Sequence, residues 1–165
     1  FVPGRMQRVD LGPAAPGVVV DFAHTPEAVT AALEGLPPGR RIAVLGCGGD
    51  RDQAKRGPMG AAAAAAASVV VVTDDNPRSE SPEAIRRAVL AGAREVAASS
   101  GARVQDGGSR ADAIRLALGL ARPGDWVAVL GKGHETGQQL ADRTIPFDDV
   151  RVVAQAWAEV RGTDA

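Results

Sequence analysis

Apolar residues along this chain gather into short runs that stop abruptly at polar or glycine-rich clusters. The clearest run is the four valines Val69 to Val72, set between an alanine-rich stretch and Thr73-Asp-Asp-Asn-Pro-Arg78. Four apolar residues without polar alternation predict a strand covered on both faces, as in the middle of a parallel sheet. Similar runs at 18–21, 41–46 and 126–131 predict three more buried strands, and weaker patterns at 5–11, 103–105 and 145–147 predict short ones nearer an edge. Between them, helices are predicted over 28–36, 59–67, 85–98 and 109–120, and a last one starts at Asp148 and carries Val152, Val153 and Trp157. Thr25-Pro26 and Ser81-Pro82 suit helix starts: a hydroxyl accepts from the free first-turn amides, and proline takes a position where no amide is needed. Strand and helix alternate throughout. The expected fold class is therefore α/β, a doubly wound, mainly parallel sheet with flanking helices and right-handed crossovers, with residues 1–165 forming one domain.

Four polar clusters follow the four apolar strands, at 21–26, 46–52, 73–78 and 131–135. In an open α/β sheet, ligands bind just beyond the carboxyl ends of the strands, so these clusters are expected along one rim. Composition narrows what they bind. With 45% hydrophobic and 24% charged residues, 165 residues bury an ordinary core, and a formal net charge of −1 offers no basic footprint for nucleic acid or an anionic membrane. One cysteine, Cys47, excludes an internal disulfide and a cysteine-based zinc cluster, which suits a reducing, cytoplasmic setting. No apolar run reaches membrane-spanning length.

Read singly, the clusters leave alternatives open. Asp74-Asp75 after a strand has the form of a divalent-cation pair, but such pairs are as often turn formers or helix caps. His24 and His134 lie on different loops without further soft ligands, so no metal site is expected. Gly46-Cys-Gly-Gly lacks the third glycine of a dinucleotide fingerprint, a place taken by Arg51, and Gly131-Lys-Gly lacks the spacing of a phosphate-binding loop. Ser99 and Ser100 have no base placed by sequence, so nucleophilic catalysis has no support. Arg51, Lys55, Arg56 and Arg78 bring cations near Asp52, Asp75 and Glu135. They form either surface ion pairs or a pocket for a zwitterion, with guanidinium groups for carboxylates and carboxylates for ammonium groups.

Six motifs in order carry a resemblance: Val2-Pro-Gly-Arg-Met6, Asp21-Phe-Ala-His-Thr-Pro26, Gly46-Cys-Gly-Gly-Asp-Arg-Asp52, Thr73-Asp-Asp-Asn-Pro-Arg78, Gly131-Lys-Gly-His-Glu135 and Pro146-Phe-Asp-Asp149. Together they resemble the C-terminal domain of the Mur ligases, in the form that adds meso-diaminopimelate to UDP-N-acetylmuramoyl-L-alanyl-D-glutamate during peptidoglycan synthesis. The resemblance implies a three-domain ATP- and Mg2+-dependent amide ligase. A carboxylate of the UDP-linked muramoyl dipeptide is phosphorylated by ATP, and the amine of the incoming amino acid attacks the acyl phosphate. The UDP-binding and central ATPase domains are absent from these residues, which accounts for the missing phosphate-binding loop, and the fragment alone is expected to be inactive.

The family's amino-acid site carries over to Arg51, Asp75, Asn76, Arg78, Gly131 and Glu135. Asp21, His24 and Lys55 match positions facing the nucleotide, and Arg5 matches the linker on which the domain swings. No catalytic residue is expected within this domain. Asp75-Asn-Pro-Arg78 is the version that resembles diaminopimelate-adding enzymes. Arg78 suits the far carboxylate of that amino acid, while Glu135 and the Gly131 carbonyl suit its far ammonium. A lysine-adding or glutamate-chain-extending relative would leave Arg78 facing nothing. A stand-alone binding module without catalysis is the reading from another class. Phe22, Gly57 and Gly137 depart from the family pattern. They imply a lost phenol hydrogen bond, a looser loop and a more open pocket wall, respectively.

Overall fold

A computed structural model describes residues 2–163. Phe1, where the expected lead-in segment begins, lies outside the described residues, as do 164 and 165. The elements run β1 (Gln7–Arg8), β2 (Gly17–Asp21), α1 (Pro26–Glu34), β3 (Arg41–Leu45), α2 (Arg56–Ala66), β4 (Val69–Thr73), α3 (Pro82–Ser100), β5 (Arg103–Gly108), α4 (Arg110–Leu120), β6 (Trp126–Leu130), β7 (Gly137–Gln139), β8 (Thr144–Pro146) and α5 (Asp149–Thr163). Six strands form one sheet in the order β1-β2-β6-β3-β4-β5. Only β1 runs antiparallel to its neighbour; β2, β6, β3, β4 and β5 pair in parallel.

Period-2 alternation sends the strand side chains into two separate cores. Val19, Ala43, Leu45, Val70, Val72, Ala128 and Leu130 pack with α1, α2 and α3 on one face. On the other, Val18, Val20, Ile42, Val44, Val71, Val127 and Val129 pack with α4 and α5. Helices cover both faces, so the apolar runs without polar alternation are buried twice over, as expected of central parallel strands. The chain steps one way across the sheet with α1, α2 and α3 on the first face. It then returns from β5 to β6 through α4 on the second. Reversing direction and changing face together keeps a single handedness of crossover.

Helix starts follow the sequence signals. Thr25 Oγ1 accepts from the Ala28 amide at 3.2 Å and Ser81 Oγ from the Ala84 amide at 3.3 Å, each with proline at the next position. Four boundaries differ from expectation. The edge strand is only Gln7–Arg8, because Met6 takes a left-handed φ of 42° and its amide turns to the Asp21 carboxylate at 2.8 Å. α2 begins at Arg56 rather than 59, since a 3-10 turn at Gln53–Lys55 runs into it and Pro58 falls in the first turn, where no amide is needed. β5 reaches Gly108 through an irregularity in its pairing with β4, where Thr73 Oγ1 donates to the Gly108 carbonyl at 2.8 Å. The hairpin β7–β8 is half unforeseen: Gly137-Gln-Gln has no apolar alternation, and only β8 was expected, one residue later.

The looser loop expected at Gly57 is not what the structure has. The residue lies inside α2, and its backbone sits where a side chain on Gly92 of α3 would have to go, so the two helices approach backbone to backbone. The alanine-rich face of α2 permits the same closeness along its length.

At the carboxyl rim, Arg110 and Asp149 are both sealed from water. Arg110 Nε and Nη2 donate to the two Asp149 oxygens at 2.8 and 2.7 Å. Nη2 also donates to the Leu130 carbonyl at 3.1 Å, and Nη1 to the Asp74 carbonyl at 3.2 Å. Burial works against the charged guanidinium, but the Asp149 carboxylate outweighs it and raises the Arg110 pKa. One residue thus ties the ends of β4 and β6 to the start of α5. Replacing Asp149 by alanine strands a buried cation, and we expect chemical denaturation to show about 3–5 kcal/mol less stability.

Candidate functional site

The four polar clusters meet at one rim, as the strand order requires. β6 stands between β2 and β3, so the loops after β2 and β3 leave on either side of the loop after β6 and enclose a crevice. The crevice has a volume of about 410 Å³. Phe22 and His24 from the first loop, Gly48, Arg51, Asp52 and Lys55 from the second, Asp75, Asn76 and Arg78 from the third, and Gly131 and Glu135 from the fourth line it. All six residues expected to hold an amino acid are therefore together, and two of the three expected at the nucleotide join them. Asp21 does not line the crevice. Its Oδ1 accepts from the Ala23 amide at 2.9 Å and its Oδ2 from the Met6 amide, so it ties down the first loop and the segment before β1.

The wall made by residues 75–78 is held from behind. The Gln138 amide donates to the Asp75 carbonyl at 2.7 Å, the Gln139 backbone N–H to Asn76 Oδ1 at 3.0 Å, and the Arg78 backbone N–H to the Gln139 carbonyl at 3.0 Å. Arg78 Nε reaches Gln139 Oε1 at 3.0 Å, and its Nη1 the Gly49 carbonyl at 2.8 Å. Arg78 itself adopts φ 51°, a left-handed conformation that non-glycine residues reach at a cost and that clamps of this kind maintain. β7 is thus part of the site, although its polar sequence gave no signal of a strand.

Lys132 was set aside in the sequence because its glycines do not match a phosphate-binding loop. Its side chain is fully buried beneath the crevice. The ammonium donates to Asn76 Oδ1 at 2.9 Å and the Gly137 carbonyl at 2.7 Å, and lies 3.4 Å from Asp75 Oδ1. Burial lowers its pKa and the Asp75 carboxylate partly restores it. Asp75 is 8% exposed, and its Oδ1 has no hydrogen-bond partner. Gly131, at φ 114°, brings its Cα beside Asp75 Oδ2, where a Cβ would lie 3.1 Å away. A side chain there would be strained and would crowd the carboxylate. The Glu135 carboxylate stands 3.5 Å from Asn76 Nδ2.

The remaining charges divide between the crevice and the scaffold. Arg51 lines the crevice and donates to the neighbouring Asp50 carbonyl at 2.9 Å. Lys55 donates to the His24 carbonyl at 3.0 Å, and the His24 ring lies edge-on to Phe22, with centroids 4.6 Å apart. The Arg5 guanidinium sits over the other aromatic neighbour of this loop, 5.0 Å from the Phe22 ring centroid. Arg56, expected among the crevice cations, is buried instead; it pairs with Glu80 at 2.6 Å and holds the Gly48 carbonyl at 3.2 Å. Asp74 turns away to Arg86 at 2.6 Å, which separates it from Asp75, so the adjacent carboxylates form no cation pair. Among the described residues no group of three or more His, Cys, Asp or Glu is placed to hold a metal ion, and no helix is long and apolar enough to cross a membrane.

The arrangement offers donors from Arg51, Arg78 and Asn76 and acceptors from Asp75 and Glu135 inside one small cleft. Residues 4–133 match the family described as Mur ligase, glutamate ligase domain. The chain belongs to this family. Among curated Mur ligases it is 50% identical over 164 residues to the UDP-N-acetylmuramoyl-L-alanyl-D-glutamate--2,6-diaminopimelate ligase of Streptomyces avermitilis, covering 98% of this chain and 32% of that protein. A solved structure of a ligase with the same name superposes with a TM-score of 0.84 at 39% identity, over 97% of this chain and 32% of the other. A Mycobacterium tuberculosis folylpolyglutamate synthase complexed with ADP superposes with a TM-score of 0.58 at 25% identity, over 79% of this chain and 30% of the other. The chain thus spans about a third of the length of the Mur ligases it matches.

Behind the glycine-rich loop of this Mur ligase segment, Cys47 is 2% exposed and its thiol contacts the Met59 sulfur at 3.4 Å. Burial pushes the thiol from 9.0 up to about 11, against the opposing pull of Lys55. The unfolded chain therefore ionises first as pH rises, and folding loses stability between pH 9 and 11. Denaturation midpoints across that range should fall for the natural chain, and this component of the fall should vanish in Cys47→Ala.

Proposed function

We propose that this chain is the C-terminal, amino-acid-binding domain of an ATP-dependent ligase that adds meso-diaminopimelate to UDP-N-acetylmuramoyl-L-alanyl-D-glutamate. The observation that carries the reading is the opposed charge lining of one crevice. Arg51, Arg78 and the Asn76 amide can receive carboxylates, and Asp75, Glu135 and the Gly131 carbonyl can receive ammonium groups. Diaminopimelate is a double zwitterion with a carboxylate and an ammonium at each end. Lysine lacks the far carboxylate and would leave Arg78 unpaired, and a site built around a polar group rejects an analogue lacking it. The name of the Streptomyces avermitilis relative supports the same amino acid.

The crevice leaves Arg78 in part exposed and open on one side, which suits a domain that closes on the rest of an enzyme. On this reading Arg5, stacked on Phe22 just before β1, lies where the chain would pass to a preceding ATPase domain. ATP, when bound there, supplies the phosphoryl group that activates the acceptor carboxylate. Lys55 and His24 stand at the edge of the crevice near that boundary, and their chemistry fits the phosphates of a nucleotide. The carboxylates here fit Mg2+ poorly, because Asp74 is paired with Arg86, Asp75 lies against Lys132, and Asp52 caps the turn at Ala54. This domain's own work is to grip the amino acid, orient its reacting amine and exclude water on closure.

In the intact enzyme, Arg78→Ala should raise the KM for diaminopimelate by an amount equivalent to about 2–5 kcal/mol and narrow the discrimination against lysine. Steady-state kinetics with both amino acids tests this, and unchanged values would remove Arg78 from the site. Lys55→Ala should lower kcat more than it raises the KM for the amino acid; the reverse pattern would move Lys55 into the amino-acid pocket.

A further inference from the structure

The buried ammonium beneath the crevice has no place in the function as described so far. Lys132 is fully sealed from solvent, yet it does not pair closely with a carboxylate: its short contacts are the Asn76 side-chain oxygen and the Gly137 carbonyl. An ammonium can only donate, and so can the Gln139 backbone N–H that meets the same Asn76 atom. Whatever atom of Asn76 lies between these two donors must accept. The carboxamide is therefore fixed with its oxygen inward, and its NH2 group is turned toward the crevice and Glu135.

We infer that Lys132 is a positioning residue which sets the hydrogen-bonding polarity of the amino-acid site, locking Asn76 as a donor toward the substrate and holding Asp75 as an acceptor. Without it, the amide of Asn76 would retain one inward donor partner and could turn over, presenting an oxygen to a substrate carboxylate. Asp75 would lose the only cation within 4 Å among the described residues. Its carboxylate, with one buried oxygen free of hydrogen bonds, would then lack the contact that holds it facing the crevice. The lowered pKa of Lys132 reports the same burial. A cation is costly at such a place, and it is retained because donor and acceptor orientation in the crevice depends on it. Asn76 meets the substrate; Lys132 acts through it.

This inference rests on the proposed amino-acid site, and the test separates the two. In the intact enzyme, Lys132→Met, which keeps an unbranched stem and removes the terminal ammonium, should raise the KM for diaminopimelate about tenfold or more, the scale of a lost hydrogen bond to a charged group. The KM for ATP should stay unchanged. In an Asn76→Ala background the same substitution should raise the amino-acid KM by clearly less than it does in the natural chain, because its route through Asn76 is gone and only the contact with Asp75 is left to lose. An additive loss, a loss shared with the ATP KM, or no loss would overturn the assignment. If Lys132→Met does not fold, Asn76→Asp decides, since it preserves both inward bonds and turns the outward donor into a negatively charged acceptor: a raised amino-acid KM supports the assigned polarity, and an unchanged one overturns it. Should Arg78→Ala also leave the KM for diaminopimelate unchanged, the amino-acid site itself fails. If only the Lys132 and Asn76 variants are silent, the site stands and the positioning role falls.

Discussion

A guanidinium without access to water holds the functional end of this molecule together. Arg110 grips Asp149 with two charge-assisted hydrogen bonds and spends its remaining donors on the carbonyls of Asp74 and Leu130, at the ends of β4 and β6. These strands are not adjacent; β3 lies between them. The loops they feed, 74–78 and 131–135, carry Asp75, Asn76, Arg78, Gly131 and Glu135 into the crevice. A crevice with cationic and anionic side chains on separate loops needs those loops at a constant separation. The buried ion pair provides it, with planar geometry that a lysine could not reproduce.

Outward from that pair, the site is built in layers of decreasing burial. Lys132 and the β7–β8 hairpin stand behind the wall 75–78 and bind its backbone and the inner side of Asn76. In front, Arg51 is exposed and Arg78 and Glu135 are half-buried; Arg51 holds the Asp50 carbonyl, Arg78 the Gly49 carbonyl and the Gln139 side chain, and Glu135 stands beside the Asn76 amide. Arg56 and Glu80 perform a comparable service for the glycine-rich loop, joining the Gly48 carbonyl to the start of α3. Behind the front residues the buried cations Arg110, Arg56 and Lys132 each donate to at least one loop carbonyl, which fixes loops. Those in the first layer keep directions free for a ligand. This division lets a chain with nearly balanced charge concentrate many ions at one rim.

The same layering bears on motion. The elements behind the crevice are buried and multiply bonded, whereas the segment before β1 is joined to the rest through the Asp21 carboxylate, the contact of Arg5 with Phe22 and the close approach of Gly4 to Gly133 and His134. The left-handed conformations of Met6 and Arg78 fall at these two places, one at the attachment and one in the binding face.

The local pattern of the chain was enough to place the four central strands, the two-sided burial of their valines and the polar clusters at their carboxyl ends, because strand burial and helix capping are decided within a few residues. The motifs likewise picked out Arg51, Asp75, Asn76, Arg78, Gly131 and Glu135, six of the eleven residues that line the crevice. What depended on the tertiary structure was which charge meets which. Arg56 and Asp74 looked like crevice groups but are claimed by Glu80 and Arg86, 24 and 12 residues away in sequence. Asp21 serves backbone amides, and Lys132, unremarkable within its loop, lies under the whole site. A polar side chain's role is set by partners that arrive from distant strands and by how much water remains when they do. No window of neighbouring residues contains that information, and the β7 strand, whose pairing rather than its hydrophobicity makes it one, escaped for the same reason.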